Sequence, residues 1–112
     1  MTNLEYLKSQ TVAHWERMIE WVKRIDLENL DDTVMHTDMF DSIKESWFCA
    51  DCSYCKIYIR CGCRGCPLAR KYGGCEDNDS SNINGWRKVN SSGTWREWLK
   101  NAELFLEQLK TL

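Results

Sequence analysis

Apolar residues recur every three or four positions along the first 25 residues of the chain, which is the spacing of one face of an α-helix. Thr2 and Glu5 fit a capping box, in which two side chains satisfy free backbone N–H groups. We therefore predict a helix over residues 3–25, with His14 at the margin of its buried face rather than acting as a metal ligand. The residues predicted to form this face are Leu4, Leu7, Val12, Trp15, Met18, Ile19, Trp21, Val22 and Ile25.

The clearest helical pattern covers residues 94–110, where Thr94 and Glu97 predict a second capping box. We expect this helix to pack along the first one within a monomer. Coiled-coil pairing with a second copy is the alternative, because a partner chain would cover the same apolar face. The residues predicted to form that face are Trp95, Trp98, Leu99, Ala102, Phe105, Leu106 and Leu109.

Shorter elements are predicted between these helices. Residues 26–38 are acidic and lack a clear period, which indicates a short helical turn and a loop. A helix over 38–46 follows. Pro67 at a first helical position predicts another helix over 67–72, and Asn84-Gly85 is placed to form a small hairpin turn. We expect four residues of the 38–46 segment and the position after it to face inward: Met39, Phe40, Ile43 and Trp47.

All seven cysteines lie between positions 49 and 75. Two C-x-x-C pairs, Cys52 with Cys55 and Cys63 with Cys66, have the spacing of paired metal knuckles. Two thiolates on each tight knuckle reach one ion at about 2.3 Å, and two knuckles complete a tetrahedral zinc site. We predict a structural zinc held by these four residues, with the remaining cysteines as alternate ligands. Those alternates are Cys75, Cys49 and Cys61.

Two other interpretations of the cysteines remain open. An iron–sulfur cluster is favoured by the interval of Cys49, Cys52 and Cys55, but five residues separate Cys55 from Cys61 where three are typical. A disulfide framework requires an oxidising compartment, and an odd number of cysteines leaves one thiol unpaired. The chain opens without a basic-then-apolar leader, so we expect a cytoplasmic protein.

The length of 112 residues predicts one domain with a modest core. Its segments are a helical acidic segment (1–48), the cysteine module (49–75), a polar loop (76–93) and the last helix (94–112). A core of this size benefits from a metal staple. The expected fold is mainly α, with long N-terminal and C-terminal helices packed around a small cysteine-ligated zinc module and little or no β structure. No apolar run is long enough to cross a bilayer.

The net charge of −2 is unevenly distributed. Residues 1–48 carry five basic and ten acidic residues, whereas residues 49–75 carry five basic residues and one acidic residue. The acidic run before the cysteines is either a solvated face or a partner-binding surface. The residues predicted to bind a partner are Asp26, Glu28, Asp31, Asp32, Asp38, Asp41 and Trp47.

Direct nucleic-acid binding is disfavoured, although basic and aromatic residues are interleaved in the cysteine module. Four thiolates around one dication leave a charge of −2, which nearby cations offset, and the sequence pI is near 5.7. No metalloprotease motif, nucleophile elbow or nucleotide-binding loop is present, so we predict that the protein is not an enzyme. The basic residues concerned are Lys56, Arg60, Arg64, Arg70 and Lys71.

The run C-S-Y-C-K-I-Y, then C-R-G-C-P-L, then G-G-C resembles small cysteine-rich proteins of bacteriophages and prophages. The resemblance covers about residues 52–75 and extends to the Trp-rich last helix. Zinc-containing anti-CRISPR proteins that bind a type II effector nuclease are similar in size, acidity and cysteine pattern. The resemblance implies Cys52, Cys55, Cys63 and Cys66 as ligands, with Cys75 as a fifth candidate, while Cys49 and Cys61 depart from the pattern.

The function implied by this resemblance is inhibition of a CRISPR effector nuclease in the bacterial host cytoplasm, by protein–protein binding that blocks loading of target DNA. A zinc-dependent nucleic-acid-binding regulator is the alternative, and an iron–sulfur electron carrier is a more distant one.

Overall fold

The computed structural model describes residues 3–47, 67–72 and 84–112. This part of the chain is mostly helical, and within it the single extended pairing is an antiparallel bridge between Thr33 and Thr94. The predicted mainly α fold is therefore confirmed, whereas the predicted zinc module lies outside the described residues apart from its helix over 67–72. The helices are α1 (Asn3–Lys23), α2 (His36–Ile43), α3 (Pro67–Tyr72), α4 (Trp86–Asn90) and α5 (Trp95–Lys110), with a 3-10 turn at Leu27–Asn29.

The predicted packing of α1 along α5 is confirmed. The Trp15 ring stacks on Trp98 with 6.1 Å between ring centroids, and it meets Phe105 edge-on at 4.8 Å. Offset stacked and edge-on pairs are the arrangements that aromatic quadrupoles favour. The apolar faces of both helices are thus used within one chain. The most buried members of these faces are Trp15, Met18, Val22, Trp98, Ala102, Phe105 and Leu109.

Backbone hydrogen bonds fasten the loop after α1 to the beginning of α5. The first N–H groups of any helix lack partners inside it. Here the Trp95 N–H donates to the Asp32 carbonyl (3.3 Å), and the Arg96 N–H donates to the Leu30 carbonyl (2.8 Å). The next N–H, of Glu97, donates to the Thr94 hydroxyl at 3.2 Å, as the capping box predicted. The Glu97 carboxylate, however, accepts from the Gly93 N–H.

Two predictions about local structure are wrong. Phe40, expected to face inward, is 44% exposed, and α2 begins at His36 and ends before Lys44, whose φ is 58°. The Asn84-Gly85 hairpin is absent from the described residues. Instead Gly85 precedes α4, and its N–H donates to the Gln108 side chain at 2.7 Å. A Cβ on Gly85 would lie 3.2 Å from the Phe105 Cβ, so the close approach of α4 to α5 favours glycine there.

Truncating an aromatic ring between α1 and α5 should unfold the protein more easily. Phe105 is 2% exposed, so Phe105→Ala is expected to lower the free energy of unfolding by about 3–5 kcal/mol. Leu104, its neighbour on α5, is 56% exposed, and Leu104→Ala should change stability by less than about 0.5 kcal/mol. Urea unfolding followed by tryptophan fluorescence measures both. Equal losses in the two variants would contradict this assignment of the core.

Candidate functional site

Six acidic residues follow α1 between positions 26 and 41, and we call this set the acidic face: Asp26, Glu28, Asp31, Asp32, Asp38 and Asp41. All six residues are exposed. Asp31 pairs with Arg96 at 2.9 Å. The other five carboxylates form no ion pair with any residue in the described part of the chain. Most of the negative charge of the acidic face is therefore not neutralised by ion pairs with other described residues.

The position of this face follows from the loop attachment described above. Asp31 and Asp32 lie in the loop whose carbonyls accept from the first N–H groups of α5. The positive end of a helix dipole favours nearby carboxylates. The hydrogen bond from Arg96 to Asp31 and the negative charge of that carboxylate raise the pKa of the arginine. Backbone bonds and charge thus hold the acidic loop against the beginning of α5.

Trp47 was predicted to contribute to the partner-binding surface, but it is 5% exposed and lies in the core. Its ring contacts Trp98 at 5.5 Å and Trp95 at 6.0 Å between centroids. Its backbone carbonyl accepts a hydrogen bond from the Trp86 indole N–H. The structure therefore places Trp47 as a packing residue, because an aromatic ring buried to this degree is not available to a partner.

Sequence reasoning missed a partly buried polar cluster that forms where α1 meets the end of α2. The Nδ1 atom of His14, a 6% exposed residue, lies 2.9 Å from the Glu45 carboxylate, and its Nε2–H donates to the Ser46 carbonyl at 3.0 Å. Arg17 donates two hydrogen bonds to the same carboxylate through Nε and one through Nη2.

Arg17 and Glu45 in this cluster shift each other's pKa. Burial of Glu45 raises its pKa, but the hydrogen bonds from Arg17 and His14 and their positive charges outweigh burial and hold the pKa below its usual range. The same hydrogen bond raises the pKa of Arg17. Lys44, in the left-handed region at φ 58°, ends α2 and turns the chain so that Glu45 reaches α1. No sequence period connects residues 31 positions apart, so only the folded chain reveals this cluster.

Trp47 and α3, which precede and follow residues 48–66 in the sequence, contact opposite ends of α5. Trp47, just before these residues, contacts Trp95 and Trp98 at the beginning of the helix. On the other side, Tyr72 shares a 2.6 Å hydrogen bond with Thr111, and Lys71 donates to the Thr111 carbonyl. Thirteen residues of helical rise separate Trp98 from Thr111, about 20 Å.

The candidate cysteine ligands lie outside the described residues. In the described ranges, no group of three or more histidine, cysteine or carboxylate side chains is placed to hold a metal ion. His14, whose two ring nitrogens already face Glu45 and Ser46, is a structural residue, consistent with its assignment as something other than a ligand.

Comparison of the chain with protein-family models, with curated proteins and with solved structures found no match. Among the described helices, none combines the length and the apolar composition that crossing a bilayer requires.

The His14–Arg17–Glu45 cluster predicts a specific acid dependence of stability. Because the pKa of Glu45 is lowered by folding, its stabilising contribution is complete above its unfolded-state pKa, about 4.3, and is lost as pH falls through the lower folded value. Wild type should melt at a higher temperature than Glu45→Gln at pH 6, and the difference should shrink as pH falls below the unfolded-state pKa. Thermal melts from pH 3 to 6 followed by circular dichroism measure this difference.

A matched test removes the partner instead of the carboxylate. With Arg17→Gln as the background, the Glu45→Gln substitution should produce a smaller and flatter difference in melting temperature, because the main hydrogen bond that lowers the pKa is absent. A wild-type advantage that persists unchanged at pH 3 would contradict this account of Glu45.

Proposed function

We propose that this protein is a non-enzymatic, phage-encoded zinc-binding protein that inhibits a type II CRISPR effector nuclease by protein–protein binding and blocks loading of target DNA. The observation that supports the proposal most is the acidic face, whose carboxylates are exposed and, apart from Asp31, unpaired within the described chain. The resemblance of the cysteine run to small phage proteins supplies the choice of partner.

The physical basis of the proposed inhibition is competition for positive charge. Effector nucleases hold their guide–target heteroduplex in a positively charged channel, through its backbone rather than its sequence. An acidic protein face is attracted to such a channel for the same Coulombic reason as phosphate. Charge complementarity of this kind speeds association and fixes orientation, and it weakens as salt screens it.

The zinc site has a structural role in this proposal. Cys52, Cys55, Cys63 and Cys66 would hold the ion, which supplies a cross-link rather than a reactive centre. Trp47 and Tyr72 contact opposite ends of α5, and the four proposed ligands lie between them in the sequence. A cross-link among these ligands would reduce the conformational freedom of the unfolded chain and is expected to stabilise the packing of the helices.

Metal analysis tests the proposed site. We expect one zinc per chain by native mass spectrometry with elemental analysis, and Cys52→Ser or Cys66→Ser should lose it. Chelation should lower the melting temperature markedly, because metal binding in small modules contributes about 10 kcal/mol or more of folding free energy. A brown protein with visible charge-transfer bands would replace zinc with an iron–sulfur cluster. Unchanged melting in strong chelator would remove the structural role.

Charge reversal tests the proposed binding surface. Changing Asp32, Asp38 and Asp41 together to Lys breaks no ion pair in the described structure, and it should weaken capture of a guide-loaded type II effector nuclease by at least about tenfold at low salt. The control reverses three exposed carboxylates elsewhere and changes the net charge equally. Binding measured by biolayer interferometry at two salt concentrations compares the two variants. The control positions are Glu16, Glu103 and Glu107.

The same experiment separates the proposal from the nucleic-acid-binding alternative. The protein alone should not retain short duplex or single-stranded DNA at low salt. If it binds DNA with submicromolar affinity, and reversal at Arg64 and Arg70 abolishes that binding, the inhibitor proposal is overturned. Equal losses of nuclease capture in both carboxylate variants would show that net charge matters and the acidic face does not.

A further inference from the structure

One side of α5 carries a strip of apolar and charged side chains that the core does not use. Leu104 is 56% exposed and the charged members are exposed as well, whereas Leu99 is partly buried against the core. The charged members recur every three or four positions, which places them on one face of the helix. We call the whole set the outer face of α5. Its six residues line one shallow groove: Arg96, Leu99, Lys100, Glu103, Leu104 and Glu107.

The order of these residues along the helix is self-complementary. The first half of the outer face is basic and the second half is acidic. A two-fold axis through the midpoint between Asn101 and Ala102 brings base opposite acid, and leucine opposite leucine, in a second antiparallel copy of the helix. Three pairs lie symmetrically about that midpoint: Arg96 with Glu107, Leu99 with Leu104, and Lys100 with Glu103.

The ion pairs that these side chains already make within the chain leave them able to form others. Glu103 lies 4.0 Å from Lys23, and Glu107 lies 3.8 Å from Lys110, so both contacts are longer than a hydrogen bond. Arg96 contacts Asp31 through Nε, and an arginine has further N–H donors on its Nη atoms.

Lys100 forms no ion pair with the residues that the structure describes. All four charges of the outer face are therefore available to an opposing copy at little cost.

The charge pattern favours a second copy over other occupants. Two basic and two acidic side chains leave the outer face without net charge, so it does not attract nucleic acid, anionic lipid or a strongly charged protein. Parallel pairing of two copies would place like charges opposite one another, which is destabilising. Antiparallel pairing instead places opposite charges together and also brings the positive end of each helix dipole beside the negative end of the other.

We propose that the protein forms a two-fold symmetric dimer in which the outer faces of α5 pack antiparallel against each other. Leu99 and Leu104 form the apolar centre of this contact, and the charged residues pair around it. The coiled-coil pairing considered from the sequence would use the opposite face of the helix, which packs on α1. One pair of helices about 24 Å long forms a small interface, of the size typical of transient association.

Sedimentation velocity over a range of concentrations measures the association of the whole chain. A reductant is present throughout, so that disulfides between chains do not contribute. We expect a reversible monomer–dimer equilibrium with a Kd of about 10–300 µM, as a small interface gives. A chain that is still monomeric at about 1 mM would overturn the dimer.

A charge at the apolar centre should disrupt the dimer. Leu104→Asp is expected to weaken association by about tenfold or more, because each dimer would bury two unpaired carboxylates. The matched control is Phe40→Asp, which replaces an exposed apolar side chain on α2, changes the net charge equally and should stay within about twofold of wild type. Circular dichroism melts should show both variants folded, since neither side chain is buried. Equal weakening in the two variants would overturn the proposed interface.

Charge swaps test the antiparallel register. Lys100→Glu places acid opposite Glu103 in both halves of the dimer, and Glu103→Lys places base opposite Lys100, so each should weaken association by about fivefold or more. An equal mixture of the two single variants, one of them fluorescently labelled, should recover association of wild-type strength. The double variant should recover it as well, because each swapped charge again faces its opposite.

The swaps also separate register from net charge. Net charge alone would make Glu103→Lys associate more tightly than wild type, because this change removes the chain's net charge of −2. Tighter association of Glu103→Lys, or failure of either the mixture or the double variant to recover, would overturn the proposed register.

The dimer is independent of the proposed function. Nuclease capture measured at nanomolar concentrations of this protein is a property of the monomer, since the expected Kd of the dimer is far higher. The reversal of Glu103 and Glu107 used there as a control is therefore unaffected by dimerisation. Failure to bind a nuclease leaves the dimer in place, and a monomeric chain leaves the proposed inhibition in place.

Discussion

The contact between α1 and α5 through tryptophan and phenylalanine rings is the interaction on which the rest of the described structure depends. Trp15 stacks on Trp98, and Trp47 packs against the same ring. Each such ring buries about 150–250 Å². A few rings therefore supply much of the core of a 112-residue chain. Because the Trp47 carbonyl also accepts from the Trp86 indole N–H, the same cluster holds α4.

A second constraint is the hydrogen bonding of the α5 N-terminus. Its first two N–H groups donate to Asp32 and Leu30, so the helix is completed by a loop distant in sequence. The acidic loop is consequently held by its backbone, while its carboxylates remain exposed. Substitution of the Asp32 side chain therefore leaves intact the backbone hydrogen bond that positions this residue.

In the His14–Arg17–Glu45 cluster, by contrast, charged side chains hold the path of the chain after α2 against α1. Partly buried charges are tolerated when hydrogen bonds satisfy them, and Glu45 accepts from both Arg17 and His14. Together with the left-handed Lys44, these bonds bring Ser46 and Trp47 onto α1 and α5. Trp47 is therefore held beside the beginning of α5, while α3 contacts the other end of the same helix.

The sequence by itself determined the features that depend on neighbours along the chain. The helical period predicted α1 and α5 with their buried faces, Thr94 predicted the cap of α5, and Pro67 predicted α3, because these signals act within one or two turns. The cysteine spacing and the placement of the carboxylates were equally readable. The metal site and the partner stay predictions, since the cysteines lie outside the described residues and nothing tests the acidic face.

Tertiary structure alone decided which side chains are used for packing and which are left for solvent. Phe40 and Met39 are both apolar, but only Met39 meets the core, because the position of α2 against α1 selects the register. Trp47 is buried because Trp86, Trp95 and Trp98 pack around it. Gly85 precedes a helix instead of forming a hairpin turn, because the chain there lies close against Phe105. His14 and Glu45 pair across 31 positions. Each outcome depends on contacts between distant segments, which no local pattern of residues contains.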